Sequence, residues 1–142
     1  MVLYAKDILE KDFLSLADNT SVYEAAMVMD STKHGFAIIG PPTRPEGIVT
    51  EWDILSKVVA KDKNPREVTL AEIMTKELIF VKVNESIATV SQIMSERGIR
   101  RLLVEDRGKV VGVITAKMVL ANLNAYVDKV STQISRLQAP WF

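Results

Sequence analysis

The sequence predicts a mixed α/β (α+β) fold: two tandem repeats, each ordered α-β-α-β-β-α, packed with pseudo-twofold symmetry. Three observations support this. Residues 5–55 slide onto 70–120 at an offset of 65 without a gap. In each copy, apolar residues recur at helical spacings in some stretches and form short continuous runs in others. Polar or turn-forming residues separate these stretches. One such unit buries too little surface to be secure alone, so both repeats are expected to share a core with a cleft between them.

The elements follow in order. A short helical lead-in ("AKDIL", "LAEIM") precedes a short strand ("FLSLA", "LIFVK"). Asn19-x-Ser21 and Asn84-x-Ser86 then open a helix, each serine a candidate N-cap for the free amides of the first turn. The helices "VYEAAMVMDSTK" and "IATVSQIMSERG" carry Met29 and Met94 at matching positions, and Gly98 reads as a C-terminal stop. Two strands come next: "FAIIG" with "EGIVT", joined by the stiff "PPTRP", and "RRLLVE" with "KVVGVIT", joined by the turn "DRGK". A last helix starts at Thr50 or Thr115. Ile8/Ile73, Lys11/Lys76, Gly47/Gly112 and Leu55/Leu120 are further identities in this register. Residues 1–60 and 70–123 are the expected repeats, with 61–69 a polar linker. Residues 124–142 are a helical tail on which Val127, Val130, Ile134 and Leu137 share a stripe.

The totals exclude several kinds of chemistry. The 142 residues carry 18 basic and 18 acidic side chains, so no global field favours nucleic acid or an acidic membrane. There is no cysteine and one histidine, His34, which removes thiolate chemistry and any His-pair metal site within one chain. His34 reads as a surface or loop histidine. The opening "MVLYAKDILEKD" lacks the apolar run of a signal peptide, and no stretch approaches the roughly 20 apolar residues of a spanning helix. A cytoplasmic location is expected. No P-loop and no paired carboxylates or Ser–His arrangement emerge, so the chain is expected not to be an enzyme.

Thr50 and Asp53, in "GIVTEWDIL", fit a capping box at a helix start. Gly47, three residues before Thr50, sits inside an apolar strand, where glycine is costly unless something approaches closely. The spacing recurs at Gly112 and Thr115, which suggests two related pockets. A carboxylate there suits the vicinal hydroxyls of a ribose, and a helix start suits a phosphate or sugar oxygen.

Together, "DIL" and "EIM", Asn-x-Ser before a helix with a Met, "GIRRLLVEDRGKVVGVIT" and "GIVTEWDIL" resemble the cystathionine-β-synthase (CBS) domain family, as a stand-alone tandem pair covering residues 5–120. The resemblance implies a disc-like pair whose clefts bind adenine nucleotides or their derivatives. It implies that Asp53 holds the ribose and Thr50 the ribose or phosphate, with Ile48 on the strand leading to them. The opposite repeat would complete the pocket. Ile79, Phe80 and Val81 would flank the adenine, and Arg100 and Arg101, after Ile99, would meet the phosphate. Strand alternation argues that one of the two arginines makes that contact.

The second cleft has lost both halves of this chemistry. Asp53 becomes Met118, and Arg100 and Arg101 become Gly35 and Phe36. One competent site per chain is therefore expected, and the other cleft should be empty, filled by side chains or much weaker. AMP is the leading ligand; ADP, ATP, S-adenosylmethionine or a dinucleotide are alternatives. The resemblance implies a sensor that is a homodimer through exposed helix faces such as "ILSKVVA" and "VLANLNAYV", passing its output to an effector protein. The alternative is a ligand-independent homodimeric scaffold.

Overall fold

The computed structural model describes residues 3–137; the terminal "APWF" lies outside them. Each half contains a three-stranded sheet. In the first, β1 (Leu14–Leu16) runs parallel to β2 (Phe36–Ile39), which pairs antiparallel with β3 (Gly47–Thr50). In the second, β4 (Phe80–Lys82) is parallel to β5 (Arg101–Asp106), itself antiparallel to β6 (Lys109–Thr115). Both sheets have the same strand order, as the internal repeat requires.

The helices complete the repeat: α1 (Ala5–Ile8), α2 (Val22–Thr32) and α3 (Glu51–Lys57), then α4 (Leu70–Ile73), α5 (Ile87–Arg97) and α6 (Ala116–Leu137). The expected caps form. Ser21 Oγ accepts from the Glu24 amide at 3.1 Å, and Ser86 Oγ from the Thr89 amide at 3.2 Å. Gly98 ends α5 in the left-handed region, φ 62°; Lys33 does the same for α2 at φ 59°. α6 runs unbroken through residues 123 and 124 into the tail.

The lead-in helices are exchanged between the halves. Ala5 and Ile8 of α1 are buried with Val81, Ile87, Leu102 and Ile114 of the second repeat. Leu70 and Ile73 of α4 are buried with Val22, Ala37, Ile39 and Val49 of the first. Backbone bonds repeat this crossing: Ala5 N–H donates to Glu85 O at 2.8 Å, and Leu70 N–H to Thr20 O at 2.9 Å. Each lead-in then runs against the last strand of the other repeat, the one whose core its helix joins. Glu10 and Val113 exchange two bonds, at 2.9 and 3.0 Å, as do Ile48 and Thr75, at 3.0 and 2.9 Å.

These crossings account for the paired glycines and correct the reading of them as a sign of ligand approach. A Cβ on Gly47 would lie 2.9 Å from Thr75 O, and one on Gly112 would lie 2.8 Å from Glu10 O and 2.6 Å from Leu9 Cδ1. The close neighbour is the chain's own backbone. A third core cluster joins the halves: Ile38 meets Leu103, with Phe36, Val110 and Val113 buried beside them and Phe13, Ile48 and Leu78 packed against them.

Gly47→Ala and Gly112→Ala are each expected to destabilise the protein by roughly 1–3 kcal/mol, because the new methyl meets carbonyl oxygen that cannot move without breaking the crossing. A lower urea midpoint with unchanged slope is the expected readout. Wild-type stability in both would show that the crossing yields.

Candidate functional site

The cleft forms where β3 and the start of α3 face the loop before β5. Two adjoining depressions share Thr50, Arg100 and Arg101. The smaller, about 230 Å³, is walled by Ile48, Ile79, Ile99 and Leu103. The larger, about 600 Å³, lies between the beginnings of α3 and α6 and is lined by Glu51, Trp52, Thr115 and Lys117. Arg100 and Arg101 stand where the two depressions meet, with the aliphatic side chains, Thr75 and Glu77 on one side. On the other are Lys117 and the first turn of α6, where Thr115 Oγ1 caps the Met118 amide at 3.2 Å.

Six of the sequence-predicted residues meet here: Ile48, Thr50, Ile79, Ile99, Arg100 and Arg101. The other three do not line it. Val81 is buried in the core of the second half, because alternation along β4 turns it inward. Phe80 points the other way and is 38% exposed. Asp53 is buried, and its carboxylate is fully engaged. Oδ2 accepts from the Thr50 amide at 2.9 Å and the Thr50 hydroxyl at 3.2 Å, and Oδ1 contacts Lys57 Nζ at 2.9 Å. Lys57 also donates to Ile73 O at 2.8 Å, tying α3 to α4. The capping-box reading of Thr50 and Asp53 describes this geometry.

Both arginines line the cleft, because Arg100 precedes β5, outside the pleated run where neighbours alternate. Arg101 lies 3.6 Å from Glu51 Oε1, and its guanidinium sits 5.2 Å from the centroid of the Phe36 ring. Gly35 makes room for it: a Cβ there would lie 3.3 Å from Arg101 Nη2 and 3.2 Å from Glu51 Oε1. Where the second crevice would have its cations, Phe36 is buried against residues of both halves. His34 lies in the loop between α2 and β2, half-buried; its ring bonds Thr32 Oγ1 at 2.8 Å and the Asp12 carbonyl at 3.1 Å.

Sequence reasoning missed Glu51, Trp52, Leu103 and Lys117. None stands in a repeated motif, since Trp52 and Lys117 are equivalent positions with unrelated side chains. Among the described residues no cluster of His, Asp and Glu could hold a metal, and no helix is long and apolar enough to cross a membrane.

The CBS domain model matches residues 5–60 and 70–125. The chain belongs to the CBS domain family. This CBS pair is 29% identical over 136 residues to an uncharacterized protein of Methanopyrus kandleri, covering 93% of this chain and 68% of that one. It is 32% identical over 120 residues to the L-aspartate semialdehyde sulfurtransferase of Methanocaldococcus jannaschii, covering 82% of this chain but only 22% of the enzyme. Among solved structures, a CBS domain pair in complex with 5′-methylthioadenosine and S-adenosyl-L-methionine superposes with a TM-score of 0.78 at 29% identity. That match covers 89% of this chain and 99% of the other.

Asp53→Ala is expected to lower stability by about 1–2 kcal/mol through loss of the cap. Asp53→Asn, which keeps an acceptor for the Thr50 amide, should lose less. Paired urea titrations measure the difference; equal losses would assign the effect to the Lys57 contact instead.

Proposed function

We propose that this CBS pair is a regulatory binding module for an adenine nucleotide or related adenosyl compound, with one competent site per chain and no catalytic activity. The supporting observation is the polarity of the single cleft. Ile48, Ile79, Ile99 and Leu103 wall the smaller depression, with Thr75 and Glu77 also in its lining; Thr50, Arg100 and Arg101 stand where the depressions meet, and Lys117 and Thr115 line the larger. An aromatic base with a charged tail matches that gradient: the base is desolvated between aliphatic side chains, and the tail meets guanidinium groups through charge-assisted bonds.

AMP fits best, because Glu51 already offsets part of the Arg101 charge and the remaining cations suit a short anionic tail. A sulfonium compound such as S-adenosylmethionine, seen in the related pair, would bring its own cation to this end. Asp53 is proposed as the ribose contact. It must exchange at least its Lys57 contact to serve, so ligand binding would loosen the tie that Lys57 makes to Ile73. Occupation of a cleft between halves biases their relative arrangement by the ligand's differential affinity, and an effector protein would read that bias.

A second reading has its own support. Asp53 is already satisfied within the protein, as expected of a ligand-independent homodimeric scaffold. A thermal-shift panel of AMP, ADP, ATP, S-adenosylmethionine and 5′-methylthioadenosine separates the two. Ligand at 100 times its dissociation constant stabilises by about 2.7 kcal/mol. AMP is expected to raise the melting temperature. Arg101→Ala should weaken its binding about 10- to 100-fold, and Asp53→Asn should weaken it with little loss of fold. Met118→Ala should leave it unchanged. No shift with any adenosine compound would leave the scaffold reading, and equal losses from Met118→Ala and Asp53→Asn would overturn the single site.

A further inference from the structure

α6 outruns the second repeat and carries an apolar stripe that meets the domain only near its start, where Leu123 shares a depression with Leu3 and Ile87. Val119 is buried in the core, whereas Leu120, Leu123, Val127, Ile134 and Leu137 are all exposed, from 42% to 71%; Val130 between them is half-buried. Their spacing alternates three and four without a break: 120, 123, 127, 130, 134, 137. That is a period of 3.5, the repeat of a supercoiled pair, over about 27 Å of helix.

From this stripe we infer that α6 joins a second copy of the chain in a parallel, in-register two-stranded coiled coil. Residue choice points to two parallel strands. In heptad terms, Leu120, Val127 and Ile134 take the a positions and Leu123, Val130 and Leu137 the d positions; two of three a residues are β-branched and two of three d residues are leucine, the combination that favours a parallel dimer. The flanking positions favour an identical partner. Asn124, Tyr126, Ser131 and Gln133 occupy the e and g positions and carry no charge. Two copies of one helix therefore meet without like-charge repulsion. Asp128, Lys129 and Arg136 all lie on the outward b and c positions. A partner of opposite charge would have nothing to pair with along this seam. The coil is short, so it depends on the folded domains that start both helices at a common point.

Because the chain has no cysteine, the arrangement can be read directly. Light scattering on the full chain is expected to give twice the 15.8 kDa chain mass. Ile134→Asp should return it to one chain mass while leaving the melting curve of the domain intact, since that side chain is 52% exposed. Mild oxidation of Ile134→Cys should give a covalent dimer, because facing a positions in a parallel coil fall within disulfide reach. Thr132→Cys, on the outward face, should not cross-link. A wild-type monomer would overturn the inference, as would a dimer that survives Ile134→Asp and so uses another face, such as that of Trp52 and Leu55. A dimer broken by Ile134→Asp in which Ile134→Cys fails to cross-link would overturn the parallel register.

Discussion

The fold depends on two backbone crossings, Ile48 with Thr75 and Glu10 with Val113. Each is a pair of reciprocal hydrogen bonds beside a strand glycine, Gly47 or Gly112, where a side chain would not fit. They hold each lead-in against the last strand of the other repeat, whose core its helix fills. Ala5 and Leu70, both fully buried, fill space in a half to which the sequence does not assign them. Neither half is therefore a separable domain. A fragment ending near Ala60 would lack Leu70 and Ile73, and the core beneath α2 would stand open.

The cleft is a product of the same geometry. The crossing holds β3 against the segment around Thr75 and brings Thr50 opposite the loop that carries Arg100 and Arg101. Asp53, buried behind Thr50 and outside the cleft lining, is held in place by the helix it caps. A buried carboxylate must be paired or hydrogen-bonded to be tolerated, and Asp53 is both. The group that a ribose would need is also the group that stabilises the start of α3 and connects it, through Lys57, to the exchanged helix α4.

The sequence makes the repeat architecture readable because the offset of 65 preserves caps, turns and apolar runs together. Strand ends, both serine caps and the Gly98 stop could all be read locally. The exchange of lead-ins could not, because Ile8 and Ile73 are the same residue at equivalent positions, and swapping them leaves every local pattern unchanged. Gly47 and Gly112 signalled a close approach, but a glycine does not say what approaches. For the site, Thr50, Ile79, Ile99, Arg100 and Arg101 were found as cleft residues. Val81 was misjudged because three-residue β4 sends its middle side chain inward. Glu51 and Lys117 were missed because helix-start charges are common and carry no motif. His34 is legible as a loop residue, but its contact with the Asp12 carbonyl, 22 residues away, is not.

Positions 36 and 101 occupy equivalent places in the duplicated chain, yet they hold a phenyl ring and a guanidinium set over it, 5.2 Å from its centroid. Gly35, the counterpart of Arg100, clears the floor beneath that guanidinium. The divergence of the first copy is thus part of the support for the second. Putting arginine back at position 36 would set two like charges where a ring and a cation now stack, and any side chain at position 35 would crowd Arg101 from below. The asymmetry is thus built into the packing: glycine and phenylalanine in one half form the seat of the cation in the other.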